Sequence, residues 1–338
     1  MQLQAEEIGN AGPDGGVRRH RGLRLAWLGA WLGATALLLW IWRPSGLGEI
    51  RARLGAAEPR WILVALASNL AVLAFWTRQW MWLVPPGFRT SRGRIAEVIA
   101  LTAAAMNTLP FPGGHSLGVG LLVRRGGLSW NAAVSVMALD QLCEGVAKVG
   151  LFLFAAGVAP LPDWLHRAAL AVSAGVLVLL AALVGLSLIV KAGPDTANAL
   201  LRWVQHLAAL RNPRALGGGL AMGFAMKLAQ AGGILAAQRS LGIHLPAADL
   251  ALVLAAVSVA SMITVSPGNL TVYEAAAVLA YRYLGVAPGP ALAAAVLQHA
   301  CLLVAMIVPG YAVIAWHALS GGGPSRKSPR GPRSPQTR

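Results

Sequence analysis

Long apolar stretches dominate this chain and constrain its fold more than any other feature. Hydrophobic residues make up 57% of the 338 positions, charged residues only 12%, and the mean hydropathy is +0.62. These values differ strongly from those of a soluble globular domain, in which about 25% of residues are charged. The composition therefore predicts an all-α polytopic membrane protein, because helices satisfy their own backbone hydrogen bonds in lipid.

Six stretches are long enough to cross the hydrocarbon core as helices, which takes about 20 apolar residues each. They cover residues 25–42, 61–84, 131–157, 168–190, 215–238 and 291–317. The first follows a basic start without a small-x-small cleavage site, so we interpret it as an uncleaved signal anchor. We predict a cytoplasmic polar tail at 1–24, a single transmembrane domain at 25–318 and a disordered basic tail at 319–338.

Two shorter apolar stretches, 95–109 and 249–265, end in Pro-Gly breaks. The first break reads Asn-Thr-Leu-Pro-Phe-Pro-Gly-Gly-His at 107–115, and the second reads Ser-Pro-Gly-Asn-Leu-Thr-Val-Tyr-Glu at 266–274. Helices that are broken inside a membrane expose backbone groups that bind polar substrates. A pair of such breaks therefore points to a transport site.

Basic residues in the loops favour two re-entrant hairpins over two crossing segments. If the broken stretches return to their own sides, through second arms at 116–123 and 270–284, both chain termini and the basic loop 191–214 lie in the cytoplasm. If the first stretch crossed instead, that loop would face outward. The segment 43–60 is an exception, because its four arginines and two glutamates lie outside in this topology. We predict six full spans plus two re-entrant hairpins in a bacterial inner membrane.

The two breaks also indicate an internal repeat. When Pro112-Gly113 is aligned with Pro267-Gly268, a three-residue insertion places Cys143 on Cys301. Identity is thin, and chance matching in a chain rich in Ala, Leu and Gly is the alternative. The predicted topology gives the halves, about 61–157 and 215–317, opposite senses, which is the geometry of an inverted repeat and of alternating access.

The second break resembles the hallmark of the lysylphosphatidylglycerol synthase transmembrane region, a flippase-like membrane family. Ser-Pro-Gly-Asn-Leu-Thr-Val-Tyr-Glu-Ala at 266–275 is the most specific part, and Asn-x-Leu-Pro at 107–110 and Asp-Gln-Leu-Cys-Glu at 140–144 match the family's first stretch. The resemblance implies handling of aminoacylated phosphatidylglycerol, polyprenyl-linked sugars or hopanoid-type lipids. Arginines usual in the family are replaced here by Pro112, Gly118 and Tyr273, which indicates a different headgroup preference.

A lipid translocator with its headgroup site at the two hairpins is the leading interpretation. No polar segment is long enough to fold as a soluble transferase domain, and the chain has no catalytic motif, so we expect no enzyme activity, metal or cofactor. Two alternatives stay open: an accessory or scaffold for a separately encoded envelope lipid or glycan enzyme, and a membrane-embedded lipid-modifying enzyme. Much of the net charge of +16 lies in the two tails, which favours anionic lipids over nucleic acid as partners.

Charged positions inside the spans are further candidates. Asp140, Glu144 and Lys148 share one helix face, where an ion pair between Glu144 and Lys148 is the structural alternative to a role in substrate or proton coupling. Lys227 lies near mid-span and is expected to pair with an inward carboxylate or an anionic headgroup. Glu274 either caps helix N–H groups or carries a coupling proton or binds a cationic headgroup.

The polar residues at the breaks complete the set of candidates. They either bind a phosphate or glycerol headgroup or only satisfy each other's backbone where the hairpins meet. All candidate substrate-binding or coupling residues are Asn107, Pro110, Gly113, Gly114, His115, Asp140, Glu144, Lys148, Lys227, Ser266, Pro267, Gly268, Asn269, Tyr273, Glu274 and His299.

Overall fold

The predicted all-α class is confirmed. A computed structural model describes residues 36, 47–109, 112–158, 163–189, 212–262 and 267–320, and no strand occurs within these ranges. The helices are α1 (Leu47–Gly55), α2 (Pro59–Leu83), α3 (Arg92–Thr108), α4 (Gly113–Arg124), α5 (Trp130–Val158), α6 (Asp163–Ile189), α7 (Pro213–Ser240), α8 (Ala247–Ala260), α9 (Val272–Tyr283) and α10 (Pro288–Leu319). A short 3₁₀ turn, Pro267–Asn269, lies between α8 and α9.

Four of these helices, α2, α5, α7 and α10, are long and apolar enough to cross a membrane. Each coincides with one of the six predicted spans. A fifth prediction, 168–190, falls on α6, within which Ser173–Ala182 forms a shorter apolar segment. The predicted first span, apart from position 36, lies outside the described residues, as do the N-terminal tail, the loop residues 190–211 and residues 321–338 of the C-terminal tail.

Local sequence explains where several helices begin. Pro59, Pro213 and Pro288 each stand in the first turn of a helix, where the missing N–H of proline costs no hydrogen bond. The Asn212 side chain accepts hydrogen bonds from two N–H groups at the start of α7, and Ser91 accepts one at the start of α3. These caps define the ends of helices whose interiors are almost entirely apolar.

Both predicted breaks interrupt helices. The first separates α3 from α4, and the second separates α8 from α9. The apolar stretch predicted before the second break, 249–265, extends past the end of its helix, because α8 ends at Ala260 and residues 263–265 lie outside the described residues. Ser261 and Met262 form a turn there, in which the Ser261 hydroxyl donates to the Ser258 carbonyl. Each break therefore lies between two short helices.

The helices occur twice in the same order: one long helix, two short helices separated by a break, and another long helix. This order describes α2 to α5 and again α7 to α10, with α6 between them. The opening long helices α2 and α7 pack against each other, and the closing helix of each half packs on the first short helix of the other half, α10 on α3 and α5 on α8.

Glycines on α7 allow its neighbours to approach closely. A side chain at Gly219 would meet Leu83 and Cys143, and one at Gly233 would meet the Asn69 amide. Small residues at such contacts are typical of membrane helices, whose association depends on close packing rather than on the hydrophobic effect. These close contacts join the long helices α2, α5 and α7 to one another.

Candidate functional site

A cavity of about 480 Å³ lies where the two breaks meet the long helices. Its lining comes from both halves of the repeated helix order. The predicted site residues that line it are Asn107, Gly114, His115, Asp140, Glu144, Lys148, Lys227, Gly268, Asn269, Tyr273 and His299. The fold thus brings both breaks and the charged positions of α5 and α7 to one place.

The remaining predicted site residues do not line this cavity. Gly113 begins α4 and faces Leu109, and Glu274 is buried in the first turn of α9. Pro267 belongs to the 3₁₀ turn. Pro110 and Ser266 lie outside the described residues.

The two breaks contact each other directly. Gly268 has a φ of +63°, and a side chain there would lie 3.3 Å from the Asn107 carbonyl oxygen and 3.1 Å from Leu303. Glycine is therefore favoured at this position by both its conformation and its size. Because Asn107 lies in the last turn of α3, the second break packs on the end of the first broken helix, and the two breaks line one cavity.

Three charged side chains form the charged wall of the cavity, defined as Glu144, Lys148 and Lys227. Glu144 Oε1 lies 3.0 Å from Lys148 Nζ and 3.5 Å from Lys227 Nζ. The predicted ion pair between Glu144 and Lys148 is present, and Glu144 is also the inward carboxylate expected for Lys227. Both lysines are buried, with the side chains of Lys148 and Lys227 11% and 8% exposed. One carboxylate therefore pairs with two buried ammonium groups.

Asp140 lies one turn before Glu144 but is held by neutral groups. Its Oδ1 accepts hydrogen bonds from the indole N–H groups of Trp76 and Trp80, both at 2.8 Å, and its Oδ2 accepts one from Gln141. The two tryptophans lie four residues apart on α2 and hold the carboxylate in one orientation. Their role was not predicted from the sequence, although two tryptophans four residues apart lie on one face of a helix.

The Glu274 carboxylate is occupied by structural hydrogen bonds. Its Oε2 accepts the Thr271 N–H at 2.6 Å, and its Oε1 lies 2.7 Å from His299 Nδ1. This is the capping arrangement that the sequence allowed as one of two roles. The His299 ring also stacks on Tyr273, with ring centroids 4.0 Å apart. Glu274 therefore holds His299, the His299 ring stacks on Tyr273, and both rings line the cavity.

Uncharged polar residues on the cavity lining were not predicted from the sequence. Asn69, Gln141, Gln230, Ser258 and Gln298 belong to this group. Isolated amides and hydroxyls on apolar helices give no periodic signal, and only the fold shows that they face the same space. Within the described ranges, no group of three or more His, Cys, Asp or Glu side chains is placed to hold a metal ion.

Comparison with known proteins agrees with the resemblance seen in the sequence. The family model of the lysylphosphatidylglycerol synthase TM region matches residues 26–310, which is most of the chain. A comparison with curated proteins gave no match.

Proposed function

Because the chain belongs to the lysylphosphatidylglycerol synthase TM region family, we propose that this membrane protein is a lipid translocator. Its substrate is a phospholipid or a lipid-linked headgroup that enters the cavity between the two breaks. In this proposal the protein lies in a bacterial inner membrane with both termini in the cytoplasm, and it carries out no enzymatic reaction of its own.

The charged wall is the observation that carries this proposal. A lysine in the middle of a membrane helix costs ~2.5 to 3.5 kcal/mol on insertion scales, so two buried lysines at one cavity need compensation. Glu144 is the only carboxylate within 4 Å of either lysine in the described residues, and Lys227 otherwise donates to Gln230. The Asp140 carboxylate accepts hydrogen bonds from indole and amide donors instead of contacting a lysine. An anionic headgroup such as a phosphate would place a second negative charge in direct contact with Lys227.

The first break offers the same headgroup further contacts. Gly114 and His115 line the cavity in the first turn of α4, where the N–H groups of a helix have no partners within the helix. Such a helix start favours anions without the arginines that are usual in the family. The headgroup would therefore lie between the charged wall and the start of α4.

The repeated helix order supports alternating access. In each half the last long helix packs on the first short helix of the other half, α10 on α3 and α5 on α8. Such reciprocal contacts are expected of two related repeats. We propose that they form an inverted repeat, in which α3 and α4 are a hairpin from the cytoplasm and α8 and α9 a hairpin from the opposite side. Movement of one half against the other would expose the cavity to each leaflet in turn.

A leaflet-exchange assay tests the proposed transport. The protein is reconstituted in liposomes with acyl-chain-labelled phosphatidylglycerol, and the fraction of label that a membrane-impermeant quencher reaches is followed over time. We expect faster exchange than in protein-free liposomes and a large reduction with Lys227→Gln. Arg239→Gln is the matched control, because Arg239 lies on the same helix but does not line the cavity. Exchange no faster than in empty liposomes would exclude transport of this lipid.

The same preparation separates the alternative functions. Formation of a chemically altered lipid would favour a membrane-embedded enzyme, and neither exchange nor product would favour an accessory or scaffold. A scaffold needs no polar cavity, and an enzyme would need a denser set of acid and base groups than this lining offers. Neither alternative explains the buried lysines as directly as an anionic lipid does.

The proposed topology has its own test. Single cysteines at Arg125 and Arg211, in a background without Cys143 and Cys301, are expected to react with an impermeant maleimide only after the cytoplasmic face is opened. Labelling of both positions from the periplasmic side would contradict the two re-entrant hairpins.

A further inference from the structure

A second, smaller groove lies between the last turns of α2 and the start of α3. Its volume is about 260 Å³, and none of its lining residues lines the cavity between the breaks. The lining residues are Ala74, Thr77, Arg78, Met81 and Arg92. The first four are spaced three or four residues apart and so share one face of α2, and Arg92 is the first residue of α3. The groove is therefore separate from the proposed transport site.

Two arginines from different helices line this groove without a carboxylate. In the part of the chain that the structure describes, no Asp or Glu oxygen lies within 4 Å of the Arg78 or Arg92 guanidinium, whereas three other arginines each pair with a glutamate. The Thr77 hydroxyl donates to the Leu73 carbonyl at 2.7 Å and adds no charge. The groove thus carries two positive charges that the described residues leave unbalanced.

The Arg78 guanidinium is supported by an aromatic ring. It lies 5.2 Å from the centre of the Trp82 ring, one turn further along α2. Trp82 in turn packs closely on α7, because a side chain at Gly218 would come within 2.6 Å of its ring. A guanidinium that stacks on a ring keeps the N–H groups at its edge available to an acceptor. Arg78 is therefore placed to bind an anion at the groove.

The groove lies at the depth where lipid phosphates meet lipid tails. With 25 residues, α2 is about 38 Å long and exceeds the hydrocarbon core of about 30 Å, so its last turn reaches the headgroup region. Arg78 reaches toward that turn, while the exposed Ala74 lies one turn deeper on the same face. The groove therefore combines cationic groups at headgroup level with an apolar surface below them, which matches the two parts of a phospholipid.

We propose that this groove binds one anionic phospholipid, whose phosphate contacts Arg78 and Arg92 and one of whose acyl chains lies along Ala74. Basic pockets between membrane helices bind such headgroups, and in the proposed topology this end of α2 faces the cytoplasmic leaflet. A zwitterionic lipid has the same phosphate, but its ammonium group would lie near two guanidinium groups. The bound lipid would join α2 to the first broken helix. It is a resident lipid, distinct from the one transported, and the inference does not depend on transport.

Lipid titration of the detergent-purified protein, followed by native mass spectrometry, tests this proposal. Phosphatidylglycerol and phosphatidylcholine with identical acyl chains are compared. One arginine near a membrane surface contributes about 5-fold to the affinity for an anionic lipid, so we expect phosphatidylglycerol to bind at least about 5-fold more tightly than phosphatidylcholine. Inorganic phosphate, added as a competitor at the same concentration, should not displace it, because free phosphate has no acyl chain to contact the apolar surface.

A matched pair of double variants assigns the binding to the groove. Arg78→Gln with Arg92→Gln should weaken phosphatidylglycerol binding at least about 5-fold and leave phosphatidylcholine binding within twofold. Since this variant does not alter the lining of the cavity between the breaks, the loss belongs to the groove. Arg89→Gln with Arg94→Gln is the control: it removes the same charge from nearby exposed positions that do not line the groove, and should keep wild-type affinity.

Each contrary result would overturn the resident lipid. Equal affinity of the wild type for both lipids would leave the groove to another occupant, and displacement by inorganic phosphate would identify a free anion instead. An unchanged affinity in the groove variant, or an equal loss in the control, would show that the two arginines form no specific site. If the groove variant does not fold, Arg92→Gln alone, at an exposed position, should weaken binding about 5-fold, and unchanged binding would overturn the proposal. None of these results decides whether lipid crosses through the cavity between the breaks, which leaflet exchange measures separately.

Discussion

The two Pro-Gly breaks align in sequence and meet at one cavity, but they are held in different ways. At the first, Gly114 lies directly on the backbone of Met106, and both Gly113 and Gly114 have ordinary negative φ angles. At the second, Gly268, Asn269 and Thr271 all have positive φ angles. Close packing holds the first break, and a left-handed backbone with side-chain hydrogen bonds holds the second.

This difference shows what each region contributes to the cavity. The acid that the sequence associates with the second break, Glu274, is engaged at both oxygens. The charges that line the cavity come instead from α5 and α7, which contain neither break. The breaks therefore shape the cavity, and the long helices supply its charge.

Removing the carboxylate of the charged wall should have the largest effect. Glu144→Gln leaves Lys148 and Lys227 buried next to a neutral amide. Breaking a fully buried ion pair costs about 3 to 5 kcal/mol, and we expect the lower end of this range because Glu144 itself is only half-buried. We expect a strongly lowered thermal unfolding midpoint of the detergent-purified protein. The double variant Glu144→Gln with Lys227→Met should recover part of the loss. If the single variant is as stable as the wild type, another group balances the charges of Lys148 and Lys227, and Glu144 is not needed to stabilise them.

The hydrogen bonds of the second break should rank next. Glu274→Gln keeps the size of the side chain but removes its charge. Its oxygen can still accept the Thr271 N–H, whereas its NH₂ group can pair with His299 only in the tautomer whose Nδ1 accepts. We expect a loss of about 1.5 to 3 kcal/mol, typical of a hydrogen bond to a charged group, with lipid exchange per folded molecule within twofold of the wild type.

Asp163→Asn is the control for this variant, because it changes an exposed acid at the start of α6. Wild-type stability of Glu274→Gln together with lost exchange would contradict the structural role and assign Glu274 to proton or substrate coupling.

The first break should respond to size rather than to charge. At Gly114 an added methyl group would meet the Met106 backbone, which is not free to move aside, so Gly114→Ala should cost about 1 to 3 kcal/mol. Gly120→Ala on the same helix is the control, since nothing lies within 4 Å of a side chain there. The measurement is the thermal unfolding midpoint of each variant. Equal midpoints would show that α3 and α4 are not tightly packed at the first break.

Part of this arrangement could be predicted from the sequence. Proline and glycine act locally on the backbone, so the positions of both breaks followed from the chain alone. The pair of Glu144 and Lys148 is one helical turn apart and was predictable for the same reason. For Lys227 the sequence indicated only the type of partner, because the two long helices that carry Lys227 and Glu144 are far apart along the chain.

Neutral contacts between helices were not predictable. Trp76 and Trp80 meet Asp140, and Gln238 meets Gln298 through Tyr281, across pairs of helices whose packing the sequence does not encode locally. Tryptophan and glutamine also occur on many apolar helices without contacting a buried polar group, so their presence alone does not predict such a contact. Their roles depend on which faces the fold turns toward the cavity.

The smallest change in stability is expected from alanine at Gly268 in the second break. Comparison with Gly285 separates the cost of a positive φ from the cost of crowding. Gly268 and Gly285 both have positive φ angles, of +63° and +80°, but only Gly268 is crowded, by Leu303 and by the Asn107 carbonyl. Alanine at either position pays about 1 to 2 kcal/mol for the left-handed backbone, and Gly268→Ala should cost slightly more than Gly285→Ala because Leu303 must shift. Thermal midpoints measure the difference, and leaflet exchange should slow only in Gly268→Ala, since only that glycine joins the two breaks. If both variants slow exchange equally, contact between the breaks does not matter for transport, and the two breaks act as separate sites.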